Sequence, residues 1–344
     1  MTVEEHYMDN LDRQTDRQTD RQTDRLSKEN TDCLKGILAA CVLAHHLFQY
    51  SGQLRGTAAG TILQAMGYLA VSEFFFLSGY GLTISYKKRG EIYVLQFAKN
   101  RILPFYIVDI LLIALYTVKN YVVWGQFQGG LIIQSFLFGN TIVGGGWYLQ
   151  VQLLLYILWF FIYKSAVTEQ TKRRLMLTII LVICFAMNFG GYGTTWYEGI
   201  PAFYIGILWA EYRDTIDICL NRWISWFACI IVSGGFFCGT FLCSHLLLNE
   251  NAQIMTKMLS AVAFVICLTT CLYKMPVNCK LTKDLGKNSF EIYVTQFLFL
   301  DAFQKTAVCR SIKIYVLCVA MATALTASIL RPICEAIYCR CKTF

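Results

Sequence analysis

The stretch WISWFACIIVSGGFFCGTFLC, residues 223–243, contains no charged side chain. A helix needs roughly 20 apolar residues to cross the hydrocarbon core of a bilayer, and this stretch meets that length. Similar runs recur, among them ILPFYIVDILLIALYTV at 102–118 and YVLCVAMATALTASIL at 315–330. Only 15% of the 344 residues are charged, against about 25% in an average soluble chain. We therefore predict an all-α fold, a polytopic bundle of membrane helices.

The apolar runs predict about ten transmembrane helices. They cover residues 33–50, 65–86, 102–123, 147–164, 174–190, 197–212, 223–244, 256–273, 289–304 and 312–331. With the N-terminus inside, all but six of the 30 lysines and arginines fall on the cytoplasmic side; the exceptions are Arg55, Lys119, Lys257, Lys305, Arg310 and Lys313. This asymmetry predicts that both termini are cytoplasmic. The net charge of +8 is then mostly an insertion signal, and no nucleic-acid partner is expected.

The 15 cysteines indicate neither a disulfide framework nor a metal site. Most lie inside predicted spans, as Cys184, Cys238 and Cys267 do, where a thiol acts as a small apolar group. No paired CxxC motif and no Cys/His spacing typical of a metal site occurs in the sequence. We therefore predict no bound metal.

The chain begins with a polar leader, residues 1–31, in which DRQTDRQTDRQTDR at 12–25 repeats every four residues. Its charges balance and it has no apolar face to bury, so we predict a disordered cytoplasmic leader. Asp-Arg-Gln-Thr is also the translation of three GACA units, and gain or loss of one unit shifts the reading frame. Phase variation by slippage is one hypothesis and an inert tail is the other. Mixed codons across the repeats would exclude slippage.

The first predicted span contains CLKGILAACVLAHHL at 33–47. A helix advances about 100° and 1.5 Å per residue, so Lys35 and His46 share a face and lie roughly 16 Å apart along the axis. That spacing suits a ligand with phosphates at one end and a reactive group at the other, as in a coenzyme A thioester. Histidine can take a proton from a hydroxyl near neutral pH. The alternative is that the histidines only hydrogen-bond a neighbouring helix.

Five stretches, in order along the chain, resemble those of the acyltransferase 3 family, integral membrane O-acyltransferases of surface glycans. They are DCLKGILAACVLAHHL at 32–47, EFFFLSGYGL at 73–82, KNRILPFY at 99–106, WYLQVQLLLY at 147–156 and LGKNSFEIYVTQF at 285–297. The resemblance implies a membrane acyltransferase domain over residues 32–331, followed by a short cytoplasmic tail, 332–344. It also implies a multi-pass location in the bacterial cytoplasmic membrane.

Some positions depart from the family's pattern. Lys35 replaces the usual arginine, which keeps the charge but loses the bidentate fork. In the family, two arginines often precede the proline of the third span, and only the second of them is present here, as Arg101. Glu73 stands one residue beyond the family's acidic position, which rotates it by about 100°. Gln296 stands where the ninth span often has histidine, so the role of that histidine does not transfer.

The resemblance implies that His46 is the general base and that Glu73 orients or charge-stabilises it; hydrogen bonding to a neighbouring helix is the alternative for Glu73. It further implies that Lys35, Lys99 and Arg101 bind the donor phosphates; anchoring of a span at the membrane interface is the alternative for the last two. Secondary candidates are His45, Asp32, Ser78, Tyr148 and Tyr293.

The implied function is transfer of an acyl group, most simply acetyl, from cytoplasmic acyl-CoA to a hydroxyl of a cell-envelope polysaccharide or its lipid-linked precursor. Acetyl-CoA is then a donor substrate, and no permanently bound cofactor is expected. The sequence does not distinguish direct attack by the hydroxyl from a two-step route through a carrier. It is also compatible with a homo-oligomer in the lipid bilayer. A transporter or flippase of a glycan precursor is the alternative, although no inverted repeat between the two halves indicates one.

Overall fold

The long helices begin and end where the sequence supplies capping residues. The side chains of Ser27, Thr57 and Asn249 accept hydrogen bonds from backbone N–H groups three residues further on. These bonds satisfy donors that the first helical turn leaves unpaired. Gly52 and Gly125 adopt the left-handed conformation directly after a helix, which glycine does without strain. The caps thereby limit the apolar runs to individual helices.

The computed structural model describes residues 26–247 and 249–342, and these residues form helices and no strand. The predicted all-α fold is confirmed, whereas the DRQT repeat at 12–25 lies outside the described residues. The α-helices are α1 (Lys28–Ser51), α2 (Ala58–Arg89), α3 (Glu91–Leu95), α4 (Leu103–Trp124), α5 (Gly129–Gln134), α6 (Gly146–Lys164), α7 (Glu169–Phe189), α8 (Pro201–Glu211), α9 (Arg213–Asn221), α10 (Trp223–Leu246), α11 (Glu250–Lys274), α12 (Lys280–Lys287), α13 (Ser289–Gln304) and α14 (Ile312–Lys342). A π-helical turn covers Ala98–Ile102, and 3₁₀ turns cover Thr194–Trp196 and Ala307–Arg310.

Each predicted span overlaps one of these helices, but the number of ten membrane crossings is not confirmed. Within the described residues, seven helices are long and apolar enough to cross a membrane; they are α1, α2, α4 with the π turn before it, α6, α10, α11 and α14. Helices α8 and α13 have 11 and 16 residues, which rise about 16 and 24 Å, less than the roughly 30 Å of a hydrocarbon core. Helix α7 carries Lys172, Arg173 and Arg174 in its first two turns.

Two pairs of helices approach to backbone contact at glycines. A Cβ atom on Gly36 of α1 would lie 1.9 Å from a carbonyl oxygen of α12, and one on Gly286 would lie 1.6 Å from the carbonyl oxygen of Asp32. Gly79 of α2 and Gly206 of α8 meet the opposing backbone in the same way, each at 2.1 Å. Such small residues permit close packing of membrane helices, which associate through packing more than through the exclusion of water. The short α12 is thereby held against the first turns of α1.

Helix α14 continues past the residue at which we predict the membrane domain to end. Pro332 lies inside the helix, which runs on to Lys342, although proline lacks the backbone N–H that a helix interior uses. Tyr338 in this extension donates a hydrogen bond to Oδ1 of Asn100 at 3.2 Å. The predicted tail therefore contacts the π-helical turn, and both elements border the site described below.

Candidate active site

Among the cavities that the described residues form, two lie towards opposite ends of α1 and contain the predicted site residues. The larger, which we call the inner cavity, has a volume of about 840 Å³, and its lining includes Lys35, Arg101, Tyr148, Gln152 and Tyr293. Its mouth lies at the end of the bundle where the lysine-rich and arginine-rich segments predict the cytoplasm. The inner cavity thus contains the phosphate-binding candidates Lys35 and Arg101.

The smaller cavity, which we call the outer cavity, has a volume of about 410 Å³. Its lining includes His45, His46, Glu198, Lys257 and again Tyr293. The histidines come from the last turns of α1, whereas Lys35 comes from the first turns. The two residues that helical spacing assigns to one face therefore line different cavities that share a tyrosine.

Most cations at the mouth of the inner cavity form ion pairs with neighbouring carboxylates. Nitrogen–oxygen distances are 3.5 Å for Lys35–Asp32, 3.0 Å for Lys283–Glu29, 2.9 Å for Lys287–Asp284 and 2.8 Å for Arg331–Glu335. The hydrogen bond to Glu29 raises the pKa of the Lys283 amine. These pairs hold the cations in position but also neutralise much of their charge, so the mouth alone is not a strong anion site.

Arg101 differs from the ion-paired cations of the inner cavity. Its Nε donates to the Tyr93 hydroxyl at 3.0 Å, and in the described part of the chain no carboxylate lies within 4.0 Å of it. A guanidinium presents five N–H donors in a planar fork that matches phosphate oxygens. Arg101 therefore keeps donors and a full positive charge for an anionic ligand.

Lys99 lies in the same π-helical turn as Arg101 but is exposed and lines neither cavity. In that turn the N–H of Leu103 bonds to the carbonyl of Ala98, five residues back. Single π turns of this kind are frequent at functional sites because they redirect side chains. The turn brings Arg101 to the inner cavity without Lys99, whose predicted role in phosphate binding stays a prediction.

One face of α6 forms a wall of the inner cavity. Tyr148, Gln152 and Tyr156 line the cavity at intervals of four residues, the spacing that stacks side chains on one helix face. Ser78 of α2 lines the same cavity. Gln152 is 3% exposed, and neither its Nε2 nor its Oε1 has a hydrogen-bond partner among the described residues.

Tyr293 joins the two cavities. Its hydroxyl donates to the carbonyl oxygen of Gly145 at 3.2 Å, and Gly145 lines the outer cavity. Its ring lies edge-on to Tyr148, with 4.9 Å between centroids. The two secondary candidates Tyr148 and Tyr293 are therefore in contact where the two cavities adjoin.

The adjacent histidines have different surroundings. Nδ1 of His45 lies 3.0 Å from the carbonyl oxygen of Leu63, and since a carbonyl only accepts, this nitrogen carries the proton. A Cβ on Gly67 would lie 2.5 Å from the His45 ring, so α2 packs directly on it. His45 thus fastens α1 to α2.

His46 is not fastened in this way. Nδ1 of His46 is buried and has no partner among the described residues. Its ring centroid lies 4.4 Å from that of Phe297, and the Gln296 side chain lies beside the ring. A neutral imidazole with a nitrogen free of hydrogen bonds can accept a proton from a ligand hydroxyl.

Glu73 and Glu198 are both buried, and of these two only Glu198 lines a cavity. Glu73 is 0% exposed, its Oε1 accepts a hydrogen bond from Thr269 at 3.4 Å, and it lines neither cavity. Its predicted partnership with His46 therefore stays a prediction. Glu198 is 5% exposed and lines the outer cavity with His46 and Lys257.

The prediction from sequence did not single out Glu198. A usable signal was present, since Glu198 follows Trp196 and Tyr197 at the start of an apolar run, and an acidic residue beside a membrane helix is a candidate for function. No group of three or more His, Cys, Asp or Glu side chains that could hold a metal occurs among the described residues.

The sequence matches the family model described as an acyltransferase domain over residues 29–331, nearly the whole chain. No curated protein and no solved structure matches it. The five stretches that carry the resemblance all fall within the matched range.

Proposed function

This chain belongs to the acyltransferase family whose model covers residues 29–331, and from that premise we propose that it moves an acyl group, most simply acetyl, across the bundle. The donor is cytoplasmic acyl-CoA, and the acceptor is a hydroxyl of a cell-envelope polysaccharide or of its lipid-linked precursor. One observation carries the proposal: among the described residues, a cavity lined by an arginine without a carboxylate partner and a cavity lined by a histidine whose Nδ1 has no hydrogen-bond partner share Tyr293.

The donor would bind in the inner cavity with its phosphates on Arg101 and Lys35. Charge-assisted hydrogen bonds from a guanidinium to phosphate are roughly twice as strong as neutral ones. Asp32 would keep the Lys35 ammonium aimed at the mouth through the contact at 3.5 Å. Lys99, being exposed, would contribute only long-range attraction to the anionic donor, which salt screens.

The acceptor hydroxyl would bind in the outer cavity beside His46. The imidazole takes the hydroxyl proton while the oxygen attacks the thioester carbonyl; the new C–O bond forms, the C–S bond breaks, and the departing thiolate takes the proton from the imidazolium. Glu198 would be the carboxylate that orients or charge-stabilises His46, because it lines the same cavity. Glu73 is the residue to which the sequence assigns this role. A two-step route, with the acyl group first on a carrier, would use the same two cavities.

The family resemblance implies a bacterial cytoplasmic membrane location, and the distribution of lysine and arginine supports placing both termini inside. The bilayer is then a partner throughout, and the inner cavity faces the compartment in which acyl-CoA occurs. A transporter of a glycan precursor would need neither Arg101 nor a proton acceptor beside a thioester.

The test is the O-acetyl content of the cell-envelope glycan in a strain that lacks the gene. Complementation with the wild type should restore acetylation, and complementation with His46→Gln should not, at equal amounts of protein in the membrane. A Leu153→Met variant, changed at a residue of α6 that lines neither cavity, is the matched control and should restore it. Full restoration by His46→Gln would refute the role of His46, and acetylation independent of the gene would refute the proposed function.

A further inference from the structure

The inner cavity contains one buried polar side chain without a hydrogen-bond partner, that of Gln152. The residue is 3% exposed, and both its Nε2 and its Oε1 lack partners within the described residues. A buried amide without partners destabilises the folded protein, because its desolvation is not compensated. Such a residue on a cavity wall is explained when a ligand supplies the missing donor and acceptor.

The position of Gln152 between the two ends of the cavity indicates which part of a ligand it meets. It lies four residues, about 6 Å of helix, from Tyr156 on one side and from Tyr148 on the other. Tyr156 neighbours the Arg101 guanidinium, and Tyr148 contacts Tyr293 at the junction with the outer cavity. Gln152 is therefore midway between the phosphate-binding candidates and the place of acyl transfer.

A primary amide side chain has two donors and an acceptor in one plane. Its natural complement is a secondary amide of a ligand, which offers one N–H and one C=O. The pantetheine arm of coenzyme A carries two such amides between its pyrophosphate and its thiol. The other two residues of the α6 wall, Tyr148 and Tyr156, each present a single hydroxyl and so lack the separate N–H donors and carbonyl acceptor of an amide.

We infer that Gln152 is a specificity-determining residue that hydrogen-bonds an amide of the pantetheine arm. This bond would fix how far the thioester reaches along the inner cavity. The inference rests on the proposed donor. It goes beyond phosphate binding because the phosphates alone leave the arm free to slide along the cavity. The side chain then selects donors with an amide-bearing arm over simple thioesters.

The test compares two ligands on purified wild type and on Gln152→Met, which keeps the length of the side chain and removes both hydrogen-bonding groups. Calorimetry would measure the affinity for coenzyme A and for 3′-phosphoadenosine 5′-diphosphate, its nucleotide part without the arm. We expect the variant to bind coenzyme A about tenfold more weakly or worse, with unchanged affinity for the nucleotide. Its melting temperature should be equal to or higher than that of the wild type, because the unpartnered amide is gone.

The Leu153→Met variant, next to Gln152 in α6 but lining neither cavity, is the control and should bind both ligands as the wild type does. Equal affinity of wild type and Gln152→Met for coenzyme A would overturn the inference while leaving the proposed donor intact. Equal weakening for both ligands, or a lower melting temperature, would make Gln152 structural and also overturn it. If the wild type binds neither ligand, the proposed function itself fails.

Discussion

The inner and outer cavities differ in how their charged and polar groups are engaged. At the mouth of the inner cavity Lys35 and Lys283 are held by carboxylates at 3.5 and 3.0 Å, whereas Arg101, which donates to the Tyr93 hydroxyl, has no carboxylate partner in the described part of the chain. In the outer cavity Nδ1 of His45 bonds to the Leu63 carbonyl, and Nδ1 of its neighbour His46 has no partner among the described residues. Each cavity therefore combines groups that hold the structure with groups left available to a ligand.

From this difference we expect the two ends of the bundle to bind different chemical groups. A free guanidinium suits phosphate, which needs several donors and no proton transfer. A free imidazole suits a hydroxyl, whose proton has to leave. The predictions below separate these tasks, because a change in one cavity should leave the measured property of the other unaltered.

The largest expected effect is on donor binding in the inner cavity. Arg101→Ala should raise KM for acetyl-CoA about 10- to 100-fold, since it removes charge-assisted hydrogen bonds to phosphate. Steady-state kinetics with varied acetyl-CoA would measure this. Lys99→Ala is the matched control, two residues away in the same turn but exposed, and should change KM by no more than about twofold. Equal effects of the two variants would contradict the selective role of Arg101.

The next largest effect, on the rate of transfer, distinguishes Glu198 from Glu73. Glu198→Gln should lower the rate of transfer about tenfold without changing affinity for coenzyme A, because it leaves Lys257 in the outer cavity without its carboxylate neighbour. Glu73→Gln should change the rate by no more than about twofold, since the Thr269 hydroxyl can donate equally to an amide oxygen. If Glu73→Gln proves the more damaging, the pairing of Glu73 with His46 that the sequence predicts is favoured over Glu198.

A smaller effect contrasts the two histidines through stability instead of activity. His45→Ala should lower the free energy of unfolding by about 1–2 kcal/mol, because it removes the hydrogen bond to Leu63 and the packing against Gly67. His46→Gln should leave the melting temperature nearly unchanged. Thermal unfolding of the purified variants in detergent would measure both. Equal losses would show that His46 is also structural.

The smallest effect concerns the exposed ion pairs at the mouth of the inner cavity. Lys283→Ala should raise KM for acetyl-CoA by at most about threefold, and the difference should vanish at high salt. Its partner Glu29 has a side chain that is 77% exposed, so water already screens the pair. A large effect that persists at high salt would mean that Lys283 contacts the donor directly.

Much of the fold was predictable because long apolar runs determine membrane helices almost alone. The number of crossings was not, since α8 and α13 are too short to cross by length and α7 starts with a cluster of cations. Neither the continuation of α14 through Pro332 nor its contact with Asn100 follows from local sequence. Both depend on packing against other helices.

The sequence singled out residues that line the two cavities, but not how these residues are grouped. His46 was singled out as an ionisable residue in an apolar helix and Arg101 by the family resemblance of its basic stretch; their roles in catalysis and donor binding stay predictions. The separation of Arg101 from Lys99 depends on a π-helical turn, which local sequence does not reveal. Glu198 and Gln152 gain their importance from neighbours on distant helices, which spacing along one helix cannot indicate.

The central claim, that a donor enters from the cytoplasmic end and an acceptor is modified at the other, is tested most directly by sidedness. Radiolabelled acetyl-CoA, which does not cross membranes, would be added outside inverted and outside right-side-out vesicles from cells that express the chain. We expect label in the glycan of inverted vesicles only, and a strong reduction of that label with Arg101→Ala. Equal labelling in both orientations, labelling of right-side-out vesicles alone, or none in either would contradict it.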